Sequence, residues 1–374
     1  MTKTAKIVFT GGGTMGHIFP LISLVRELKA AFPNPNLKLN YFGPKHSQGA
    51  LLLEDEGVKI KNVLAGKIRR YFDLKNFVDF FKTPIGFLQS FCLLFFKWPD
   101  LIMATGGYGS FPVCLAGFFL KVPIILLEAD VEPGLASKII AKFANQIFTA
   151  FPNTLYFSKQ KTICLGNPIR RSLLDGSREK AKMLFNLKGA KPVLLILGGS
   201  LGSKNINNLI LEILLNLIKN FEIIHQTGEE KFAVVEMEAK AYLKGDQLLE
   251  YHPLPFLNEE QLKQSLAVAD FVISRAGSGA LFELAATGKP SLLIPLPNSA
   301  QNHQVKNAYR LADHGGAYVV EEENLKPNFF LQRFENIALN EETKKIMRQN
   351  VLRFAKPEAA SKITKFVLEF LGLV

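Results

Sequence analysis

The stretch Ile7–Pro20, IVFTGGGTMGHIFP, runs from four apolar or β-branched residues into three glycines, then into a helical pattern whose first turn carries a histidine. A strand that feeds a glycine-rich turn and a helix opens a βα unit. The same opening recurs where strand 192–198 feeds GGSLGS. Around these two points short apolar runs alternate with longer helical patterns. They predict strands at 6–10, 37–43, 58–65, 100–106, 123–130, 146–151 and 162–166, then at 192–198, 221–227, 247–252, 270–274, 290–295 and 317–320. Continuous runs such as VLLIL and SLLIP suit parallel strands buried on both faces. The expected fold class is α/β, with two doubly wound halves.

Gly166 and Pro168 in LGNPIRRSLLDGSREK break the pattern, so the expected domains are 1–167 and 168–357. Pro357 interrupts again, and 358–374, beginning EAASKITKFVLEFLG, reads as a last helix. The 374 residues suffice for two or three domains at ~100–200 residues each. An apolar content of 48% supplies a buried core and argues against disorder. Cys92, Cys114 and Cys164 are scattered without CxxC spacing, which argues against a disulfide framework or a zinc site and suits a reducing cytosol. The start, MTKTAKIVFTGGG, offers only four residues for an apolar core; a signal peptide needs ~7–15, so none is expected.

The net charge of +12 is uneven: residues 1–166 hold 19 basic against 10 acidic residues, the remainder 26 against 23. A basic first half points to an anionic partner, whether membrane phosphate, nucleic acid or a phosphorylated substrate. The alternative is that lysines merely keep a Phe-rich protein soluble.

Glycines between a strand and a helix let backbone N–H groups approach an anion, and the helix end adds partial positive charge. Gly11, Gly13 and Gly16 fit G-x-G-x-x-G. A dinucleotide reading also needs an acid closing the second strand, to hold ribose hydroxyls. That strand, LKLNYFG, ends at Gly43 and Pro44 with no acid, which argues against a nicotinamide oxidoreductase. TGGYGSFP (105–112), GGSLGSKN (198–205) and SRAGSGALFE (274–283) repeat the device. Glycine-rich strand ends in both halves suggest phosphates held in a cleft from two sides; the plainer reading is a set of tight turns.

GGGTMGHIFP, AGKIRRYF, ATGGYGSFPV, GNPIR, GGSLGS, SRAGSGALFELAATGKPSLLIPLP and NHQVKNA, in this order, resemble the MurG family of UDP-N-acetylglucosamine:N-acetylmuramyl-(pentapeptide)-pyrophosphoryl-undecaprenol N-acetylglucosaminyltransferases. The resemblance runs essentially from end to end. It implies a GT-B fold, with two Rossmann-like domains facing across a cleft and the C-terminal helix packing back on the first. It implies an inverting transfer of N-acetylglucosamine from UDP-N-acetylglucosamine to the C4 hydroxyl of the lipid-linked muramyl-pentapeptide in peptidoglycan synthesis. That would make the protein peripheral, on the cytoplasmic face of the inner membrane. Carried over residue by residue, Arg170 and Ser200 look like diphosphate contacts and Leu257 lines the uracil pocket. Ser278, Gly279, Ala280, Leu281, Phe282 and Glu283 form a binding loop and helix start, with Glu283 on the ribose; Gln304 meets the donor sugar. Thr14, Met15 and Gly16 close over the donor, and Asp130 belongs to the acceptor side.

Two departures stand out. Met15 replaces a glycine of the family's GGTGGH, and a positive φ there would be costly. After strand 123–130 the family's HEQN or HESD is LEAD, so Leu127 replaces the histidine, while Glu128 and Asp130 remain. The candidate bases are His17, whose intrinsic pKa suits the task, and Glu128. Each has a bland alternative: a packed ring for His17, a helix contact for Glu128. No Asp-x-Asp occurs, so no metal and no cofactor are expected. Departing UDP would be met by Arg170, the Ser200 loop and the helix start after Gly277.

Residues 67–98, KIRRYFDLKNFVDFFKTPIGFLQSFCLLFFKW, set Phe77, Phe80, Phe81, Phe87, Phe91, Leu94 and Phe95 among Lys67, Arg69, Arg70, Lys75, Lys82 and Lys97. The longest near-continuous apolar run, 85–96, is twelve residues, short of the ~20 a spanning helix needs. The pattern fits shallow docking on an anionic membrane surface; the alternative is a helix packed on the first sheet. The readings carried forward are a membrane-associated glycosyltransferase that binds no nucleic acid, another UDP-sugar-dependent glycolipid synthase, and a non-catalytic lipid-binding relative.

Overall fold

The computed structural model describes residues 4–12, 14–45, 47–67, 75–152 and 155–374. Gly13, His46, Arg69 and Arg70 lie outside the described residues, as do the side chains of Lys75, Phe77 and Phe80. The chain divides into two compact units, Met1–Arg170 with Pro357–Val374, and Arg171–Lys356. At this boundary the Arg170 guanidinium lies 4.0 Å over the Phe19 ring of its own unit.

The first unit holds β1 (Ala5–Thr10), β2 (Leu37–Gly43), β3 (Lys59–Asn62), β4 (Leu101–Ala104), β5 (Ile124–Glu128), β6 (Gln146–Thr149) and β7 (Thr162–Cys164). Their order is β3-β2-β1-β4-β5-β6-β7, and neighbouring strands pair in parallel. The helices are α1 (Met15–Ala31), α2 (Ser47–Asp55), α3 (Lys75–Lys97), α4 (Phe111–Phe119) and α5 (Leu135–Phe143). Side chains alternate across the strands. Ile7 and Phe9 therefore meet Leu21, Val25 and Leu28 of α1 on one face. Val8, Ile102 and Ile124 meet Val113 of α4 and Ile140 of α5 on the other. Burial on both faces is why these strands read as unbroken apolar runs.

The second unit repeats the plan with β8 (Val193–Leu197), β9 (Glu222–Gln226), β10 (Tyr251–Leu254), β11 (Phe271–Ser274), β12 (Ser291–Leu293) and β13 (Ala317–Val319). Their order is β10-β9-β8-β11-β12-β13. Its helices are α6 (Arg178–Phe185), α7 (Lys204–Asn220), α8 (Phe232–Tyr242), α9 (Glu259–Val268), α10 (Ser278–Ala286), α11 (His303–Asp313), α12 (Pro327–Ala338) and α13 (Glu341–Phe354). The last helix, α14 (Ala359–Phe370), belongs to the first unit, where Ile363 and Val367 join the Ile7 cluster.

The expected strand at 247–252 is corrected. Residues Gly245–Glu250 form a 3-10 turn, closed where the Lys244 N–H donates to Gln247 Oε1 at 3.0 Å. The strand starts at Tyr251 and carries Pro253 at the sheet edge, where a missing N–H is tolerated. Strand order reverses between β1 and β4 in one sheet and between β8 and β11 in the other. Doubly wound sheets offer their ligand crevice at such points, beyond the carboxyl ends of the strands. The glycine loops follow β1, β4, β8 and β11, so they lie there.

Candidate active site

In the first unit β1 delivers Gly11 and Gly12, both buried, to the start of α1. Thr14 is the extended N-cap of α1, with φ −130° and ψ 156°, and its hydroxyl makes no capping bond. Met15 is the first helical residue and is absent from the residues with positive φ, so the bulk the sequence put there carries no backbone strain.

His17 is held from two directions. Its Nδ1 stands 2.8 Å from the Thr105 carbonyl, and the Thr105 hydroxyl donates to the His17 carbonyl at 3.1 Å. The ring lies along two bare backbones. A Cβ on Gly12 would come within 2.8 Å of His17 Cδ2 and 2.9 Å of Nε2. A Cβ on Gly107, whose φ is +76°, would lie 2.6 Å from Gly12 Cα and 3.0 Å from Nε2. These glycines are bare because the loops after β1 and β4 pack on each other and on the imidazole. Ligand approach is not needed to explain them.

Glu128 ends β5 and is only 4% exposed. Burial pushes its carboxyl up to about 8, and Asp130 beside it acts in the same sense. The Ser137 hydroxyl and the Asp130 and Ala129 amides oppose them. The Asp130 N–H donates to Glu128 Oε1 at 3.2 Å. Leu127 points to the opposite face, in the Ile7–Phe9 core. In the loop that follows, Glu132 is 7% exposed, bonded to Lys138 Nζ at 2.7 Å and to the Tyr156 hydroxyl. Sequence reading missed this cluster because Tyr156 joins it from beyond β6. Arg170, expected at a diphosphate, is 4% exposed and stacked on Phe19 in this unit.

In the second unit Ser200, half-buried, sits between Gly199 and Gly202, with φ of +87° and +67°. A Cβ on Gly202 would collide with the Thr227 carbonyl. Gln226 Nε2 holds the Gly199 carbonyl at 3.1 Å. The loop after β11 is different: a Cβ on Gly277 or Gly279 would meet nothing within 4 Å. Gly277 is the N-cap of α10, so that helix start faces open space.

Of the residues expected on this loop, Ser278 is buried and Glu283 half-buried. Leu281 and Phe282 stand in the first turns of α10 with side chains 0% and 2% exposed, and the Phe282 ring packs 5.2 Å from Phe354. Leu257 is likewise buried. Gln304 Oε1 accepts from the Leu296 N–H at 3.0 Å and fixes the loop after β12.

Arg275, which sequence reading passed over, ties this end of the sheet together. Its guanidinium donates to the Ile294 and Pro295 carbonyls at 3.1 and 3.2 Å and to the N-cap Ser203 hydroxyl, and it pairs with Glu322. The one sequence signal was an arginine at the end of an apolar strand, which must be paired if buried.

Residues 7–149 match the glycosyltransferase family 28 N-terminal domain, and residues 193–363 the glycosyltransferase family 28 C-terminal domain. A Clostridium tetani protein named UDP-N-acetylglucosamine--N-acetylmuramyl-(pentapeptide) pyrophosphoryl-undecaprenol N-acetylglucosamine transferase is 37% identical over 339 residues, 90% of this chain and 91% of its own. A Treponema denticola protein of the same name is 34% identical, with 97% of each chain covered. Among solved structures, Acinetobacter baumannii MurG superposes with a TM-score of 0.74 at 23% identity, over 98% of this chain and 99% of that one. A Neisseria meningitidis UDP-GlcNAc 2-epimerase bound to UDP-GlcNAc gives 0.68 at 15% identity, over 97% and 100%. Both structures speak to the fold alone, which is GT-B with two Rossmann-like sheets.

Proposed function

The chain belongs to the MurG family of glycosyltransferases, and from that premise we propose that it moves N-acetylglucosamine from UDP-N-acetylglucosamine to the C4 hydroxyl of undecaprenyl-pyrophosphoryl-N-acetylmuramyl-pentapeptide. Inversion takes one in-line step. The bond from the acceptor oxygen to the anomeric carbon forms as the bond to the UDP oxygen breaks, and the hydroxyl proton goes to a base.

The observation that carries this reading is the His17–Thr105 contact. A carbonyl only accepts, so Nδ1 carries the hydrogen and the neutral ring keeps its lone pair on Nε2, the atom a general base uses. Glu128, with its carboxyl pushed up to about 8, is mostly protonated at neutral pH and suits hydrogen-bond donation better than proton abstraction. On the donor side, the α10 start beside Gly277 and the Ser200 loop supply N–H groups for the departing diphosphate. Glu283 takes ribose hydroxyls, and Gln304 completes the donor contacts of the second unit. Turnover of UDP-N-acetylglucosamine with the lipid-linked acceptor, compared between the native protein and His17→Ala, tests the assignment.

A peripheral membrane position on the cytoplasmic face belongs to the same proposal. Among the described residues no helix is long and apolar enough to cross a bilayer. Of the residues expected on one apolar face, Phe87, Phe91 and Leu94 turn inward to the core of the first unit. Phe81, Phe95 and Phe96 of α3 stay 52–83% exposed, beside Trp98, and Phe118 and Phe119 of α4 extend the patch. Phe87 packs on Phe119 with centroids 5.8 Å apart, which makes the two helices one surface. Exposed aromatics of this number, with Lys82, Lys97 and Lys121 nearby in sequence, support shallow insertion into anionic lipid.

A further inference from the structure

The loop after β4 runs between the two groups that sequence reading singled out as bases. Gly107 turns its bare face to Gly12 and His17, as described above. Gly106, also at φ +76°, turns its bare face elsewhere: a Cβ there would collide with Ser137 Oγ and lie 3.8 Å from Glu128 Oε2. Ser137, in the first turn of α5, is 2% exposed. Glu128 Oε2 is buried and makes no hydrogen bond of good geometry, whereas Oε1 receives the Asp130 amide. Once the carboxyl ionises, a buried oxygen without a donor is costly, and the Ser137 hydroxyl, which can rotate, lies at the same bare face of Gly106.

We infer that Ser137 is a positioning residue for Glu128, turning its hydroxyl onto Oε2 when the carboxyl ionises and fixing the carboxyl at the end of β5. The inference rests on the proposed function in one respect only, namely that the state of Glu128 matters to turnover.

The surroundings leave Ser137 the chief local lever. Asp130 is the charged neighbour that acts on Glu128. Glu132 and Lys138 pair with each other. The flanking strands β4 and β6, LIMA and QIFT, carry no charged side chain. On α4 the one titratable group is the Cys114 thiol, which burial keeps neutral. On α5 the remaining cation is Lys142, near the far end of the helix. His17 lies on the other side of the glycine pair, at Gly107. The Ser137 hydroxyl favours the ionised carboxyl, so its removal raises the pH at which Glu128 ionises.

The test follows the Glu128 carboxyl stretch by infrared difference spectroscopy across pH on the full chain, with Glu128→Gln subtracted to identify the band. Ser137→Ala should raise the midpoint by about one unit, the size of a lost hydrogen bond to a charged group. Ser137→Thr, which keeps the hydroxyl, should hold the native midpoint. Turnover of Ser137→Ala across pH should show its alkaline limb moved by the same amount, with the donor KM in place. An unchanged midpoint in Ser137→Ala overturns the contact. A moved midpoint with an unmoved pH profile overturns the positioning role. Because the titration needs no substrate, a native protein that fails to transfer sugar overturns the proposed function and leaves the Ser137 contact separately decided.

Discussion

His17 Nδ1 stands 2.8 Å from the Thr105 carbonyl oxygen, and the Thr105 hydroxyl returns a bond to the His17 carbonyl at 3.1 Å. Residues 88 positions apart thus lock one ring tautomer at the point where the first sheet reverses its strand order. Such a lock serves a base, because it presents Nε2 without a search over tautomers. His17→Ala should lower turnover ~10²–10⁴-fold and leave donor affinity near native, as read by titration calorimetry. The ring also packs on Gly12 and Gly107, so melting should be recorded alongside. Normal turnover from the folded fraction would make His17 a packing residue only.

Glu128→Gln separates donor from base. Glutamine reproduces the protonated carboxyl but cannot take a proton. If Glu128 acts as a neutral donor, the variant should retain most turnover near neutral pH and lose the alkaline fall through about pH 8. A loss of ~10²-fold or more would make Glu128 the base and His17 its helper.

The same variant predicts a pH-dependent stability difference. Burial raises the folded carboxyl from its ordinary value of 4.5 to about 8, so between those values the native state binds the proton that the unfolded state has released. Stability contributed by this group is present at low pH and falls as pH rises through the window. Glu128→Gln lacks the group, so its melting temperature should gain on the native protein from pH 5 to pH 8. A constant difference over that range would show that the carboxyl ionises normally.

The glycine loops mark the limit of what sequence reading could settle. The alternation of strands and helices was legible because burial on both faces leaves unbroken runs such as VLLIL. The position of each loop at a strand's carboxyl end followed. Why each glycine is bare did not follow, since that depends on which backbone lies opposite. Gly107 faces Gly12 and Gly202 faces the Thr227 carbonyl, contacts between segments far apart in sequence. Gly277 and Gly279 face nothing. A motif prints all of them alike. Phe282 stands in the same motif, although the helical turn carries its ring to Phe354. Arg275 and Ser137 act through partners supplied only by the fold.

That contrast yields a paired prediction for the donor site. Gly202→Ala should destabilise the second unit by more than about 1 kcal/mol, because it combines positive φ with a collision. Gly277→Ala, at φ −66° with open space around it, should melt like the native protein. If the α10 start receives the diphosphate, that methyl should nonetheless raise the donor KM. Glu283→Ala should raise it at least ~10-fold, in line with ~1.5–3 kcal/mol for a hydrogen bond to a charged group. A native donor KM in both Gly277→Ala and Glu283→Ala would move the donor away from α10.

The exposed aromatic surface of α3 and α4 supplies the last prediction. Phe96 is 83% exposed and Phe119 62%, so neither contributes much to the core. Replacing Phe96 by Ser should shift stability by no more than ~0.5 kcal/mol, as expected of a surface position, and replacing Phe119 by Ser should cost ~0.5–1.5 kcal/mol for its ring contact with Phe87. Inserted into lipid, each ring would bury apolar area worth roughly 1.5–3 kcal/mol. The double variant should then partition onto vesicles ~10²–10⁴-fold more weakly than the native protein, while remaining folded. The lysines predict the lipid dependence: binding should be stronger to vesicles with phosphatidylserine or phosphatidylglycerol than to neutral vesicles, and should weaken as salt rises through the range where the Debye length falls below about 10 Å. Turnover with a water-soluble acceptor analogue should be near native in the double variant, because the loss lies in reaching the lipid and not in the chemistry. Equal vesicle binding by native and double-variant protein would show that this face meets something other than a membrane.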